Sequence, residues 1–427
     1  MAIALLDIND SNLQLWRNGE CLRSPGYALL DGSQYQFGNA ARGAARLRPR
    51  DINTRFWWQL SVDPLQPALG PARHSADLVH AHLLDIHRQA SDCSEVLLAV
   101  PGSMQRGQLA LLLGIVQESP FTAVGLVNRS AALASLHPAN GRIFHLEVQL
   151  HQGVISELTQ TDGQTELRRT TPLPGCGLLQ LQERLIEAIA SAFIRQTRFD
   201  PRRKAQTEQD LYDQLPDALR AIESGHESNM EIGGYQARIE RGELLQAGDR
   251  LFKALTDAIG TAGADDRVLV DPIATLLPGL GERVPAREVI ASDALWRATL
   301  RHEPRLVQRE QALNLVTTLP TEAEYGPAGT AAAPESPTPP AEVIDRAAEP
   351  VAPTHLLREG TARPLRAGGV DIVGGAQLYQ QAGRWLLRGD HAASVQVNDQ
   401  PYRAEQALGR GDTLRIDDFH GTLIEVL

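Results

Sequence analysis

From Pro320 to Pro353 the chain carries eight prolines and nine alanines in 34 residues, with six acidic side chains and one basic one, Arg346. Repeated φ restriction and the scarcity of apolar anchors leave such a stretch little to pack, so it reads as an extended, disordered linker. One continuous core through all 427 residues is thereby excluded. The linker, 320–353, separates a head, 1–319, from a tail, 354–427.

Acidic residues outnumber basic ones 52 to 41, a net charge of −11. Nucleic acid and anionic membrane both repel such a surface, so neither is expected as a partner. Cys21, Cys93 and Cys176 form no CxxC pair, which argues against a disulfide framework or zinc ribbon and fits a reducing compartment. The longest clean apolar stretch, Leu109–Val116, is far short of the ~20 residues that span a bilayer. Met1–Asp7 lacks the basic region of a secretory leader. A cytoplasmic protein is expected, and the near-absence of lysine (Lys204 and Lys253 alone) suggests a GC-rich bacterial genome.

Along the head, strand-like and helix-like patterns alternate. Ile3–Asp7 and Leu13–Trp16 read as strands around the turn 9–12, and Ser75–Ala90 carries Leu78, Val79, Leu83 and Ile86 at helical spacing. Val96–Val100 and Ala123–Val127 read as buried strands, Gln105–Val116 and Ser130–Leu136 as helices, and Ile143–Leu150 with Val154–Thr159 as a hairpin. Helices are predicted over Leu178–Thr197, Thr207–Ile222 and Arg238–Ile259, and a core strand over Val268–Val270. Strand pairs followed by helices, twice over, indicate an α/β head of two related halves, about 1–140 and 141–290. In the tail, Val370–Val373, Trp385–Leu387, Ser394–Val397, Thr413–Ile416 and Thr422–Val426 are short strand candidates separated by turn signals such as Gly368-Gly369 and Gly374-Gly375. A small all-β sandwich is the expectation.

The order of these pieces resembles the nucleotide-binding domain of the seventy-kilodalton heat-shock chaperones, a branch of the actin-like ATPases. Ala4 through Ser11 sits where that family has its first phosphate hairpin, and His145 through Leu150 where it has its second. Phe37 through Ala41 and Pro49 through Phe56 resemble the approach to the catalytic lysine. Val96–Pro101, Val127–Ala134 and Phe199-Asp200-Pro201 match further segments. The resemblance implies a duplicated actin-like ATPase fold and, in the intact family, ATP with magnesium.

The phosphate-gripping positions depart together. Glycine-rich hairpins hold phosphate because their N–H groups can approach it closely. Here Asn9 and Asp10 replace the glycine and a threonine of the first hairpin. In the second, His145 replaces the metal-orienting aspartate, Glu147 and Val148 replace glycines, and Leu150 a threonine. Gln59 stands for the lysine, Arg129 for the glutamate that orders water around magnesium, and Asp271-Pro272 for the adenosine-side glycines. Only Asp7 and the Ser11 hydroxyl remain as remnants of the nucleotide cleft. Phosphoryl transfer depends on positioning and charge stabilisation, so loss of cradle, metal support and cation together implies a pseudo-ATPase.

The tail is similar to a forkhead-associated domain at Val395–Pro401 and Leu408–Ile416. Gly374-Gly375 stands for that family's Gly-Arg, and no Ser-x-x-His is present. Phosphothreonine reading needs a fixed guanidinium and hydroxyl, so a sandwich used for protein contact is implied instead.

Other constellations favour plain readings. His74, His80, His82 and His87 lack the one-face spacing of a metal site and are expected as solvated helix residues. His145, Glu147 and His151 share strand parity, which would admit a replacement acid–base or metal site, against a polar filler as the plain reading. Arg195, Arg198, Arg202, Arg203 and Lys204 complement a helix end. Of Trp57 and Trp58, one is expected in the core. Cys176 has no assignable base, and no Gly-x-Ser-x-Gly or Walker sequence occurs. No catalytic residue, cofactor or metal ligand is expected. The leading reading is a non-catalytic scaffold recruiting protein partners through head and tail. The alternatives are a divergent ATP-binding chaperone or ATP hydrolase with magnesium, and a non-triphosphate ligand site built from Asp7, Gln59, Arg129 and His145.

Overall fold

A computed structural model describes residues 3–321 except 91–92, 227 and 310–311, together with 355–358, 361–365, 370–372, 376–381, 384–388, 395–398, 400–402, 408, 412–416 and 419–424. The chain divides into two compact units, 1–329 and 330–427. Pro320 belongs to the first unit's sheet, the Thr321 N–H donates to the Gly163 carbonyl at 2.9 Å, and the rest of the expected linker lies outside the described residues.

The first half of the head runs β1 (Ala4–Asp7), β2 (Leu13–Arg17), β3 (Glu20–Ser24), β4 (Ala28–Asp31), β5 (Gln34–Phe37), α1 (Gly38–Arg42), β6 (Ile52–Asn53), β7 (Pro64–Leu69), β8 (Ala72–His74), α2 (Ser75–Ala90), β9 (Glu95–Val100), α3 (Arg106–Gln117), β10 (Thr122–Asn128) and α4 (Arg129–Ala134). The second half runs β11 (Ile143–Val148), β12 (Gln152–Thr161), β13 (Gln164–Pro174), α5 (Leu178–Thr197), α6 (Ala205–Glu223), β14 (Ser228–Ile232), β15 (Tyr235–Ile239), α7 (Arg241–Leu244), α8 (Asp249–Ile259), β16 (Arg267–Val270), α9 (Leu280–Arg283) and β17 (Arg287–Val289). The head closes with α10 (Ala294–Leu306), β18 (Leu315–Val316) and β19 (Thr318–Pro320).

Two six-stranded sheets dominate, in the orders β18-β10-β9-β1-β2-β3 and β17-β16-β11-β12-β13-β19. Each starts with a three-strand antiparallel meander, β1–β2–β3 or β11–β12–β13. Each then adds parallel strands on the far side of its first strand, β9 and β10 or β16 and β17. The head is thus mixed α/β, and five strands of each sheet share one order and one set of directions, while the sixth lies at opposite ends, β18 beside β10 and β19 beside β13. Central strands such as β1 and β9 are buried on both faces, which is why they read as unbroken apolar runs. Their ends carry the polar residues that meet between the sheets.

The predicted helix over 238–259 holds for most of its length, over 241–259, and is corrected at its start. Residues 235–239 form the second strand of a hairpin turned by Gly233 and Gly234, both at positive φ, and helix resumes only in α7 and α8. Burial of Ala237 and Ile239, two apart, shows the period of two of a strand. The second half does not end the head near 290. Helix α10 returns to pack on α4, β18 joins the first sheet beside β10, and two residues later β19 joins the second sheet beside β13. This return segment straps both sheets.

The tail unit is built of antiparallel strands: a six-stranded sheet (His355–Arg358, Thr361–Pro364, Gln396–Val397, Gln400–Pro401, Thr413–Ile416, Phe419–Ile424) and a three-stranded one (Val370–Asp371, Gln377–Gln381, Arg384–Arg388). Leu356, Leu378, Trp385, Val397, Leu414 and Leu423 share its core. Asn398, at φ 53°, accepts the Thr413 N–H at 2.9 Å and donates to Asp412 at 2.8 Å, which fixes the 398 turn. Gly368-Gly369, Gly374-Gly375 and 409–411 lie outside the described residues. Among the described residues no helix is long and apolar enough to cross a membrane.

Candidate functional site

Four strand ends converge where the two sheets face each other. β1 delivers Asp7, and β10 ends in Asn128, whose side chain accepts the Ala131 N–H at 3.0 Å and caps α4. That cap makes Arg129 the first helical residue. β11 presents His145 and Glu147 on one face, and β16 ends just before Asp271.

The Arg129 guanidinium fills the junction. Its Nε donates to Asp7 Oδ1 at 2.9 Å, Nη1 to Asp271 Oδ2 at 3.0 Å, and Nη2 lies 3.0 Å from Asp271 Oδ1. Glu147 Oε2 lies 3.5 Å from Nη1, a charge contact without a hydrogen bond. Arg129 is only 6% exposed, and a charge so far from water persists only when paired. Here two carboxylates supply the pairing in fork geometry.

His145 ties the halves from the other side. Its Nδ1 lies 2.8 Å from Ser130 Oγ and its Nε2 3.3 Å from Asp271 Oδ1. Burial pushes its pKa down and favours the neutral ring. The Ser130 O–H then donates to Nδ1, and Nε2–H donates to Asp271. Burial opposes ionisation of Asp271 as well, but the Arg129 charge and the His145 hydrogen bond outweigh it and hold the carboxyl down to about 2. Burial raises Asp7 despite Arg129, and pushes Glu147 up to about 7.

The two turns that the resemblance casts as phosphate hairpins bond to each other directly. Asp10 Oδ1, in the β1–β2 turn, accepts the Leu150 N–H, in the β11–β12 turn, at 2.7 Å. Its Oδ2 is buried without a partner, and burial raises the carboxyl to about 7. Ser11 lines the cavity beside Asp7, Arg129 and Asp271, and its N–H and hydroxyl both donate to Asn9 Oδ1, at 3.0 and 2.8 Å. Asn9 Nδ2 points to Asp271 Oδ2 at 3.5 Å. Further cross-links are Gln149 to Ser103 at 3.2 Å and His151 to Thr54 at 3.0 Å. Gly102 lets the halves close, because a Cβ there would collide with the Thr170 hydroxyl.

The structure therefore brings Asp7, Asn9, Arg129, His145, Glu147 and Asp271 into one cluster, with Asp10 and Leu150 stitched beside it. Gln59 is excluded from it: the side chain is exposed and lines a separate open groove with Arg55, Leu65 and Gln105. A ligand site using Gln59 with Asp7, Arg129 and His145 is corrected on that ground. One further correction concerns His82, and the expectation that one of Trp57 and Trp58 is core holds. His82 is core, not solvated: it takes the Trp57 Nε1–H at 3.0 Å, meets Ser24 Oγ at 2.7 Å and stacks on Phe37. Trp57 is buried while Trp58 is 37% exposed, but on a turn and not on a strand, and Trp58 stacks on His151. Among the described residues, no group of three or more His, Cys, Asp or Glu side chains is placed to hold a metal ion.

Chemically, Ser130, His145 and Asp271 have the composition of a nucleophile, base and orienter. Their setting opposes that use. Both oxygens of Asp271 are taken by Arg129, the imidazole is sealed, and neither Ser130 nor His145 lines the cavities flanking the cluster. A magnesium triphosphate at this junction would have to displace protein groups. A buried guanidinium occupies it, paired with Asp7 and Asp271 and near Glu147, and the two turns that the resemblance casts as phosphate hairpins are bonded to each other. Ser130 and the Asp10–Leu150 bond were not foreseen as site features. The available signal was an arginine at the very start of an otherwise apolar helix, Arg129-Ser130-Ala131-Ala132-Leu133-Ala134.

Compared with family models the chain matches none, and no curated protein matches it.

Proposed function

We propose that this protein is a non-catalytic scaffold related to the seventy-kilodalton heat-shock chaperones: a duplicated actin-like head that no longer uses nucleotide, joined to a forkhead-associated-like tail, both recruiting protein partners. The observation that carries the reading is Arg129 set between Asp7 and Asp271, at the position the resemblance gives to magnesium and phosphate. The repeated strand order of the two sheets supports the duplicated head. The Asp10–Leu150 bond and the strap of α10, β18 and β19 support a head held in one arrangement.

An ATP-hydrolysing chaperone opens and closes around its nucleotide. A head with its hairpins bonded together and its central charge neutralised internally presents fixed surfaces instead. Steady-state ATP hydrolysis tests this. The full chain should show no turnover above that of its Asp7→Ala variant. Turnover that collapses in Asp7→Ala would restore the divergent ATPase reading.

A further inference from the structure

Beside the ion-pair cluster the halves of the head enclose a cavity of about 260 Å³. Leu181, Leu185, Leu215, Leu219, Leu251 and Leu277 wall it, all buried in the second half. The first half contributes Ser11, Asn12, Tyr27 and Arg42. Three of its lining residues, Asn39, Arg42 and Arg220, are exposed and so mark the mouth. No carboxylate lines it. In a chain of net charge −11, the opening carries two guanidinium groups, of which Asp217 offsets one, so one uncompensated positive charge faces an apolar space. Arg220 leans on Asp217 three residues away, and Arg42 makes no ion pair among the described residues.

We propose that this cavity binds a free aliphatic carboxylate of about eight carbons, its chain among the leucines and its carboxylate at Arg42 and Arg220. The size follows from the volume: at roughly 30 Å³ for each water-sized group, the space holds on the order of nine. The charge follows from the rim, since guanidinium grips a carboxylate with two parallel hydrogen bonds. The walls decide against a nucleoside. A purine lying among the leucines would leave its edge without hydrogen-bond partners there, and the polar lining residues Asn12, Tyr27, Asn39 and Gln182 are what adenosine competition probes. The Ser11 hydroxyl is already committed to Asn9. A mostly apolar concavity with a few convergent polar groups at one end is the ordinary form of a small-molecule site. The site is independent of the scaffold reading, since it requires neither a protein partner nor the loss of nucleotide binding.

The test is calorimetric titration of the full chain with octanoate, octylammonium and adenosine, on wild type, Arg42→Glu and Arg220→Glu. Both substituted side chains are exposed, and circular dichroism verifies the fold. Saturable one-site binding of octanoate is expected, with octylammonium weaker by about tenfold or more, and each charge reversal weakening octanoate by a similar factor. The proposal is overturned by absence of saturable octanoate binding below ~1 mM, by equal binding of octylammonium, by unchanged affinity in both variants, or by displacement of octanoate with adenosine at equal concentration.

Discussion

Arg129 holds Asp271 with both prongs of its guanidinium, Nη1 at 3.0 Å from Oδ2 and Nη2 at 3.0 Å from Oδ1, although 142 residues separate them. One residue belongs to the first half of the head and the other to the second. The pair is therefore a bond between halves as well as a neutralised charge. Asp7 on the guanidinium's third edge and His145 on the far side of Asp271 complete a closed polar unit.

Removing the cation should be costly. Arg129→Met leaves Asp7 and Asp271 buried without their counter-charge, and breaking such a pair destabilises by about 3–5 kcal/mol. Arg129→Lys should recover only part of that, because an ammonium cannot serve three edges at once. Urea unfolding of the three proteins measures it. A loss below about 1 kcal/mol in Arg129→Met would contradict the pairing.

The carboxyls give opposite pH dependences. Asp271, held down to about 2, contributes stability that is present above its unfolded value near 4 and is lost as pH falls toward 2. Asp10 and Glu147, pushed up to about 7, keep protons that the unfolded chain releases near 4. Their contribution is full below that point and is lost as pH rises to about 7. Asp10→Asn keeps an oxygen for the Leu150 N–H and removes the titration. Its stability should fall less between pH 4.5 and 7, leaving it more stable than wild type at pH 8 by on the order of 2 kcal/mol. Thermal melts across that range would show it, and parallel curves for the two proteins would refute it.

Ser130 should be chemically silent. A fluorophosphonate probe, which labels activated serines, should leave the native protein unmodified, because Ser130 and His145 are buried and line neither flanking cavity, so the probe cannot reach the hydroxyl. Mass-spectrometric detection of an adduct on Ser130 would show an open, activated nucleophile.

The direct bond between the two hairpins has its own readout. Exchange of the Leu150 amide hydrogen should be slow in wild type, unaltered by Mg·ATP, and faster in Asp10→Ala. Fast exchange in wild type would mean that the turns part in solution.

Much of the scaffold was legible because burial on both faces leaves an unbroken apolar signature. Val96–Val100 could hardly be anything but a core strand, and the helices at Ser75–Ala90 and Leu178–Thr197 carry their apolar stripes at the right spacing. β13 was missed because it carries Arg168, Arg169, Thr170 and Thr171 and is largely open to solvent. Helix α10 was obscured by Pro304, which sits in its final turn. At the site, the altered positions could be read one at a time but only as losses. That Arg129 answers Asp7 and Asp271 is a three-body charge match across distant segments, and no local pattern encodes it. The Asp10–Leu150 bond uses a backbone N–H, which leaves no mark on residue type.

The most direct measurement is calorimetric titration of the full-length chain with Mg·ATP and with Mg·ADP. With Arg129 filling the junction between the strand ends, the expected result is no saturable heat from either nucleotide. Binding at micromolar affinity would show that the cluster opens for phosphate, and would contradict a cleft closed by its own side chains.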